Sequence, residues 1–252
     1  MSSVQGTKLS ALREQIEGME GVLARSRSVL PFGVPEIDNK LIGGGLARGA
    51  LHEIAGGSNG AIHGAAAISF AAGIAARANG PVLWCYTQPD LFAPALAASG
   101  LSEDRVVFFE AGNEKALLSC VEDALKHGSV AAVVGEVANI SHVQSLRLQY
   151  AAESTQTLAL LVRRWRRHVD ARDFGRDTAA FTRWRVTEVN SVPLPVRGIG
   201  RPRWMLELMR TRTGQSADFE IEACDDKGFV AVPANMADRS ATSGVWQLRA
   251  AQ

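Results

Sequence analysis

A cluster of glycines follows a short predicted strand, in a pattern that could surround phosphate groups. The strand Leu51–Ala55 leads into a stretch that carries Gly56, Gly57, Gly60, His63 and Gly64. A working phosphate-binding loop has the pattern GxxxxGK[ST], in which backbone amides surround the phosphates while the lysine and the hydroxyl serve the terminal phosphate and Mg²⁺. Neither a lysine nor a hydroxyl follows a glycine at the required place here. The neutral His63 is a poor substitute for a cation, so the stretch predicts weak binding of ATP or another anion at a helix N-terminus, without hydrolysis.

A run of arginines with an indole between them is the second group with chemical potential. It follows the predicted strand Thr157–Val162. The candidate nucleic-acid contacts are Arg163, Arg164, Trp165, Arg166, Arg167, Arg172 and Arg176. Guanidinium groups pair with phosphates, and both guanidinium and indole planes stack on bases. Two alternatives stay open: the surface binds an acidic protein, or the arginines pair with Asp170, Asp173 and Asp177 on the same loop.

The charge of the chain is unevenly distributed along the sequence. Residues 163–212 contain thirteen arginines and five acids, a net +8, which leaves −7 for the remaining residues because the whole chain carries +1. Such an asymmetry indicates an anionic partner for the second half, and a solvated basic surface without a ligand is the alternative. Strand alternation would put Arg201 and Arg203 on one face, and likewise Arg210 and Arg212.

The glycine-rich stretch and the arginine run lie within an alternating pattern of predicted strands and helices. The predicted strands are Leu51–Ala55, Pro81–Tyr86, Arg105–Glu110, Val130–Val134 and Thr157–Val162. The predicted helices between them are Ala61–Ala78, Pro89–Ser99, Glu114–His127 and Ser141–Glu153. This alternation predicts an α/β fold with a mostly parallel, twisted sheet flanked by helices. After residue 180 the segments Phe181–Val189, Arg203–Arg212 and Phe219–Ala223 predict strands without helices between them, added in antiparallel fashion.

The ends of the chain differ from this core. Apolar residues at helical spacing predict a separate amphipathic helix over Lys8–Ala24: Leu9, Leu12, Ile16, Met19 and Leu23. Its apolar stripe either packs back on the core or docks on a partner. The predicted organisation is an N-terminal helix and linker over residues 1–28, a core domain over 29–235 and a C-terminal tail over 236–252.

Composition bounds the class of protein. The 252 residues are 46% hydrophobic and 21% charged, which fits one large α/β domain and excludes a disordered chain. The three cysteines, Cys85, Cys120 and Cys224, are far apart and are expected to be free thiols in a reducing cytosol. We expect no signal peptide and no membrane span. The five histidines form no HExxH motif and, with the scattered serines and acids, define no catalytic set.

Several ordered segments resemble known proteins. Gly33–Asp38, the glycine run Gly43–Gly49 and the following strand and loop resemble the opening segment of RecA-family proteins. A closer resemblance is to the ImuA family of RecA-like accessory proteins, and it extends from Leu30 to Arg239. It rests on Leu30–Gly33, Gly43–Leu46, Gly49–Glu53, Thr157–Arg163, Thr182–Val186 and Gly200–Trp204.

The RecA resemblance assigns expected places to three further features. RecA-like ATPases have a water-activating glutamate at the end of the next strand, and Gln88, which cannot act as a base, stands there. Glu136 takes the place of the Mg²⁺-associated aspartate, which is expected at the end of the strand Val130–Val134. It is either a vestige of a metal site or a sheet-edge residue at a helix start. The loop after the strand Thr157–Val162 contacts DNA in RecA, which matches the position of the arginine run.

The ImuA resemblance implies a non-hydrolysing accessory factor for translesion DNA synthesis and mutagenesis in the SOS response, in the cytoplasm at the nucleoid. The implied partners are DNA, expected to be single-stranded, an ImuB-like protein and an alternative replicative-type DNA polymerase, with self-association through the N-terminal helix left open. No cofactor, metal or catalytic residue is expected. Two alternatives are a divergent DNA-dependent ATPase and a SulA-like inhibitor of cell division, which is a shorter chain and leaves the arginine-rich half unexplained.

Overall fold

The computed structural model describes residues 27–57, 60–165, 174, 176–191, 198, 200–212 and 215–233. The predicted N-terminal helix and the tail 236–252 lie outside these residues. In chain order the described elements are β1 (Val29–Leu30), α1 (Pro35–Asp38), β2 (Leu46–Ala47), β3 (Leu51–Gly56), α2 (Gly60–Arg77), β4 (Val82–Tyr86), α3 (Ala93–Ala98), β5 (Val106–Glu110), α4 (Glu114–His127), β6 (Ala132–Val137), α5 (His142–Thr155), β7 (Leu158–Arg163), β8 (Thr182–Val189), β9 (Arg203–Thr211) and β10 (Ala217–Glu222).

One eight-stranded sheet organises the chain, in the order β10-β9-β8-β3-β7-β6-β4-β5. The strands from β8 to β5 in this order run parallel, and β9 pairs antiparallel with both β8 and β10. Strands β3, β6 and β7 are buried along almost their whole length, as expected for parallel strands covered on both faces. The predicted α/β fold with a mostly parallel sheet is confirmed, and β9 and β10 extend it in antiparallel fashion as predicted. The predicted antiparallel addition is wrong for the first strand after residue 180, because β8 pairs parallel with β3.

Helices cover the two faces of the sheet unequally. On one face α2 packs against β3, β7 and β8, and the ring of its Phe70 lies 6.0 Å from the ring of Trp184 and 6.2 Å from that of Trp204. On the other face α4 and α5 pack over β6, β7 and β4, with Leu117 and Leu161 in the shared cluster. Of the connection between β7 and β8, the described residues Phe174, Arg176 and Thr178 lie against Arg183 of β8.

Local signals explain which predicted boundaries hold. The side chain of Asn113 caps α4 by accepting from the backbone of Ala116, and Gly128 ends the helix with φ +70°. Ser141 and Gln144 form a capping box at the start of α5. The predicted helix Pro89–Ser99 is wrong at its start, because the chain has turns before α3 begins at Ala93, with Pro94 in its first turn.

Candidate nucleic-acid interface and degenerate nucleotide loop

The loop after β3 is held tightly against β8. The backbone amide of Gly57 donates to the carbonyl of Val186 at 2.8 Å. A Cβ atom on Gly57 would lie 2.0 Å from Oγ1 of Thr187, so only glycine fits there. Helix α2 begins three residues later, at Gly60, one residue before the predicted start at Ala61. Ser58, Asn59 and the side chain of His63 lie outside the description, while the Cα of Gly64 faces open space.

The carboxylate of Glu136 is buried inside β6 and fully engaged. Its Oε1 accepts from Nε1 of Trp84 at 2.7 Å, and its Oε2 lies 3.0 Å from Nη1 of Arg164. Burial raises the pKa of this carboxyl, while the Arg164 guanidinium and the Trp84 hydrogen bond oppose the rise. Glu136 lies near the end of the strand, as expected, but the predicted strand end at Val134 is too early, because β6 pairs with β7 as far as Val137. The alternative that Glu136 stands at a helix start is wrong, since the next helix begins at His142.

Gln88 and Asp90 lie in the turn that follows β4. Gln88 is partly buried, and Asp90 accepts from Nη2 of Arg164 at 2.6 Å. The guanidinium of Arg164 thus bridges Asp90 and Glu136. The sequence singled out Glu136 and Arg164 separately, for a metal vestige and for phosphate contact, and gave no sign that they are partners.

Arg163 does not lie on the surface. It is the last residue of β7, and its side chain is fully buried. Its Nη2 donates to the carbonyl of Ala138 at 2.7 Å, and its Nη1 lies 3.7 Å from Oε2 of Glu53. This corrects the prediction that Arg163 contacts phosphate, since β7 extends one residue beyond Val162 and carries Arg163 into the interior.

Trp165 is packed on the protein itself. Its Nε1 donates to the carbonyl of Ala138 at 2.8 Å. Its ring meets that of Phe174 edge to face, with centroids 5.4 Å apart, and the guanidinium of Arg163 lies 5.5 Å from the ring centroid. The indole is half-buried. These contacts favour a packing role for Trp165 over base stacking.

A buried ion pair that the sequence analysis missed holds the far end of the connecting segment. Nε of Arg183 lies 3.1 Å from Oε2 of Glu53, and both side chains are buried. Nη2 of Arg183 donates to the carbonyl of Arg176 at 2.8 Å and to Oγ1 of Thr178 at 2.9 Å. The available signal was a glutamate within the predicted strand Leu51–Ala55 and an arginine within the predicted strand Phe181–Val189.

Three exposed arginines surround the end of this segment, and we call them the arginine surface: Arg176, Arg210 and Arg212. Nη1 of Arg210 lies 3.1 Å from Oδ1 of Asp177, and its side chain is 46% exposed. The guanidinium of Arg212 lies 5.6 Å from the ring centroid of Phe181. Arg176 therefore lies at the same end of the segment as Arg210 and Arg212, which the sequence analysis noted as a pair. Arg166, Arg167 and Arg172 lie outside the described residues.

The described residues contain neither a membrane-spanning helix nor a cluster of metal-binding side chains. No helix among them is long and apolar enough to cross a bilayer. No group of three or more His, Cys, Asp or Glu side chains within the described ranges is placed to hold a metal ion.

Comparison with known proteins defines the class and the family. No protein-family model matches the chain. The fold is similar to the crystal structure of the RadB recombinase, with a TM-score of 0.56 and 14% identity over 81% of this chain and 100% of that chain. The protein is therefore an α/β protein with the RecA-like recombinase fold. In sequence it is 35% identical over 215 residues to Protein ImuA from two strains of Caulobacter vibrioides, covering 81% of this chain and 87% of each relative. The chain belongs to the ImuA family.

Proposed function

We propose that this ImuA-family protein is a non-hydrolysing accessory factor in SOS-induced translesion DNA synthesis and mutagenesis, located in the cytoplasm at the nucleoid. It binds single-stranded DNA through the segment between β7 and β8 and through the arginine surface. The observation that carries the proposal is that exposed arginines gather beside a basic segment whose two ends are anchored on the sheet, by Arg164 at one end and Arg183 at the other.

Charge and exposure support DNA binding. Arg176, Arg210 and Arg212 are exposed at the end of the segment, and Arg166, Arg167 and Arg172 are distributed along it. A phosphate backbone binds such a surface with release of counterions and without sequence preference. An anchored segment also loses less conformational freedom on binding than a free one.

The loop after β3 supports the absence of hydrolysis. It lacks the lysine and the hydroxyl that would serve the terminal phosphate and Mg²⁺. Gln88 stands where a water-activating carboxylate is expected, and Arg164 already balances the charge of Glu136. Weak anion binding at the start of α2 remains part of the proposal.

The outer edge of the sheet supports contact with partner proteins. Strand β5 is the last strand of the sheet, and Val107, Phe108 and Phe109 are 58%, 38% and 39% exposed. Beside it lies a groove of about 710 Å³ between α4 and β5, with Leu83 and Cys120 among its lining residues. An exposed apolar edge strand is suited to pairing with an extended segment of another protein. The proposed partners are an ImuB-like protein and an alternative replicative-type DNA polymerase.

The DNA-binding part is tested with an Arg166/Arg167/Arg172→Gln variant. We expect it to fold normally and to bind a labelled single-stranded oligonucleotide more weakly than wild type in an anisotropy titration, whatever the oligonucleotide sequence. Unchanged affinity would remove the segment from the proposal and favour an acidic protein as its ligand.

The proposed absence of hydrolysis is tested by measuring phosphate release from ATP with and without single-stranded DNA. We expect the rate to equal that of a protein-free blank. DNA-stimulated release that is lost in Glu136→Ala would identify a divergent ATPase instead.

A further inference from the structure

Arg164 connects the ends of three neighbouring strands. It directly follows β7, Glu136 lies near the end of β6, and Asp90 follows β4, in the spatial order β7-β6-β4. The backbone amide of Arg164 donates to the carbonyl of Val137 at 2.9 Å. Its two terminal nitrogens lie 3.0 Å from Glu136 and 2.6 Å from Asp90. The planar fork of an arginine can hold two carboxylates in this way, whereas a lysine offers a single charged group.

The buried carboxylate of Glu136 needs the guanidinium of Arg164 as its cation. The Glu136 side chain is only 2% exposed, and that of Arg164 is 22% exposed. A carboxylate removed from water is costly unless a cation and hydrogen bonds compensate it. The structure supplies Trp84 as the hydrogen-bond donor and Arg164 as the cation. The charge of Arg164 is therefore already balanced within the protein.

The residues on either side of Arg164 are docked on the same stretch of backbone. Arg163 and Trp165 both donate to the carbonyl of Ala138. Residues 163–165 are thus fixed on the end of β6, and Arg166 and Arg167 follow directly in the chain. These contacts fix the three residues that directly precede the rest of the basic segment.

We propose that Arg164 is a positioning residue of the DNA-binding site, one that contacts no phosphate. Its positive charge offsets the charges of Glu136 and Asp90, which would otherwise repel a phosphate backbone. Arg163, Trp165 and the backbone amide of Arg164 hold the start of the basic segment on the sheet. The inference rests on the proposed DNA binding. In this proposal Arg164, an arginine of the chain itself, offsets the charge of the two carboxylates at the end of the sheet where the nucleotide-like loop lies. DNA affinity therefore depends on neither ATP nor Mg²⁺.

The test compares Arg164→Ala with the triple variant Arg164→Ala/Asp90→Asn/Glu136→Gln in binding to a labelled single-stranded oligonucleotide over a range of salt concentrations. We expect Arg164→Ala to weaken binding by about tenfold or more, since two carboxylates lose their cation. The triple variant should return to within about threefold of wild type, with the wild-type salt slope. It keeps the Arg163, Trp165 and backbone contacts that hold the segment. Removal of Mg²⁺ with EDTA, or addition of ATP, should leave the wild-type affinity unchanged.

Three results would overturn the inference. The first is a triple variant that binds DNA as weakly as Arg164→Ala does, with a slope of log K against log salt concentration that is flatter than that of wild type by about 0.7. This result would identify Arg164 as a phosphate contact. The second is an Arg164→Ala variant that binds like wild type. The third is a wild-type affinity that requires Mg²⁺ or ATP. If Arg164→Ala does not fold, Arg164→Lys is used in its place. We expect Arg164→Lys to bind single-stranded DNA more weakly than wild type, with an unchanged slope of log K against log salt concentration. Binding with wild-type affinity would contradict the inference.

The proposed function can fail separately from this inference. A wild-type protein that binds no single-stranded DNA contradicts the proposed function. Urea unfolding of the same variants then tests whether Arg164 compensates Glu136 and Asp90. A urea midpoint that is lowered in Arg164→Ala and restored in the triple variant supports the role of Arg164. An unchanged urea midpoint in Arg164→Ala overturns it.

Discussion

Glu53 and Arg183 form an ion pair in the protein interior, with Nε of Arg183 3.1 Å from Oε2 of Glu53. The two residues lie opposite each other on the adjacent parallel strands β3 and β8. Because Arg183 also donates to the carbonyl of Arg176, this pair ties the end of the connecting segment, and with it the arginine surface, to the centre of the sheet.

Removal of one partner of this pair should be strongly destabilising. We expect Arg183→Met to lower the free energy of unfolding by about 3–5 kcal/mol, because the buried Glu53 carboxylate loses its nearer cation. The matched control is Arg185→Met on the same strand, whose pair with Glu207 is partly exposed. It should cost at most about 1 kcal/mol. Equal losses for the two variants in urea denaturation would contradict this account of the segment's anchor.

The buried His52 should make stability fall in acid. Burial lowers its pKa from 6.5 to about 4, and its nitrogens lie 2.8 Å from Oγ1 of Thr182 and 2.9 Å from the carbonyl of Ala47. Between these pH values the unfolded chain takes up a proton that the folded protein does not, so stability is lost as pH falls from about 6.5 towards 4, by about 3 kcal/mol in all. We expect this loss in wild type relative to His52→Gln. If the difference in free energy of unfolding between wild type and His52→Gln stays constant from pH 7 to 4, the prediction is refuted.

Glu136 should have the opposite effect. Burial raises its pKa in the folded state, and the groups that face it are Trp84, Arg164 and Asp90. As pH rises through the folded pKa, the folded protein gives up a proton that the unfolded chain has already lost, so this contribution to stability is lost. The free energy of unfolding of wild type should therefore increase relative to Glu136→Gln as pH is lowered from 7 towards 4.5. A relative decrease over that window would mean that Arg164 outweighs burial.

The close contact at Gly57 should make the nucleotide-like loop intolerant of a side chain. Gly57→Ala places a methyl group against Thr187, and we expect a loss of about 1–3 kcal/mol. In Gly64→Ala the methyl group points into open space within α2, so the variant should gain roughly 0.5–1 kcal/mol. Addition of Thr187→Ala to Gly57→Ala should recover part of the loss. Thermal denaturation of the four proteins measures these effects, and an unaffected Gly57→Ala would show that the loop is not held as described.

The exposed edge of β5 should matter for protein partners and leave DNA binding unaffected. We expect Val107→Lys to weaken co-purification with the ImuB-like protein, because a charge enters an apolar pairing edge. The control is Tyr150→Lys on α5, a residue that is 66% exposed on a different surface. Retained co-purification in Val107→Lys, or an equal loss in both variants, would argue against the edge as the contact.

The order of strands and helices could be predicted because each element carries local signals. The bounds of α4, for example, follow from Asn113 at its start and Gly128 at its end. The roles of the charged residues could not be predicted in the same way. Glu53 and Arg183 are 130 positions apart, and Arg164 and Asp90 are 74 apart, so only the sheet order brings them together. A run of arginines predicts a basic surface, yet Arg163 and Arg164 are used inside the protein, because β7 and its pairing with β6 extend past the predicted strand end.

The salt dependence of single-stranded DNA binding by an Arg176/Arg210/Arg212→Gln variant tests the central claim most directly. The charge-matched control is Arg147/Arg201/Arg203→Gln, whose arginines pair with Glu122, Glu222 and Glu220 away from the arginine surface. If the arginine surface contacts phosphates, its variant should bind more weakly and flatten the slope of log K against log salt concentration by up to about 2, at about 0.7 per contact. The control should change the slope little. Equal slopes for wild type and both variants, with equal affinities, would contradict DNA binding at this surface.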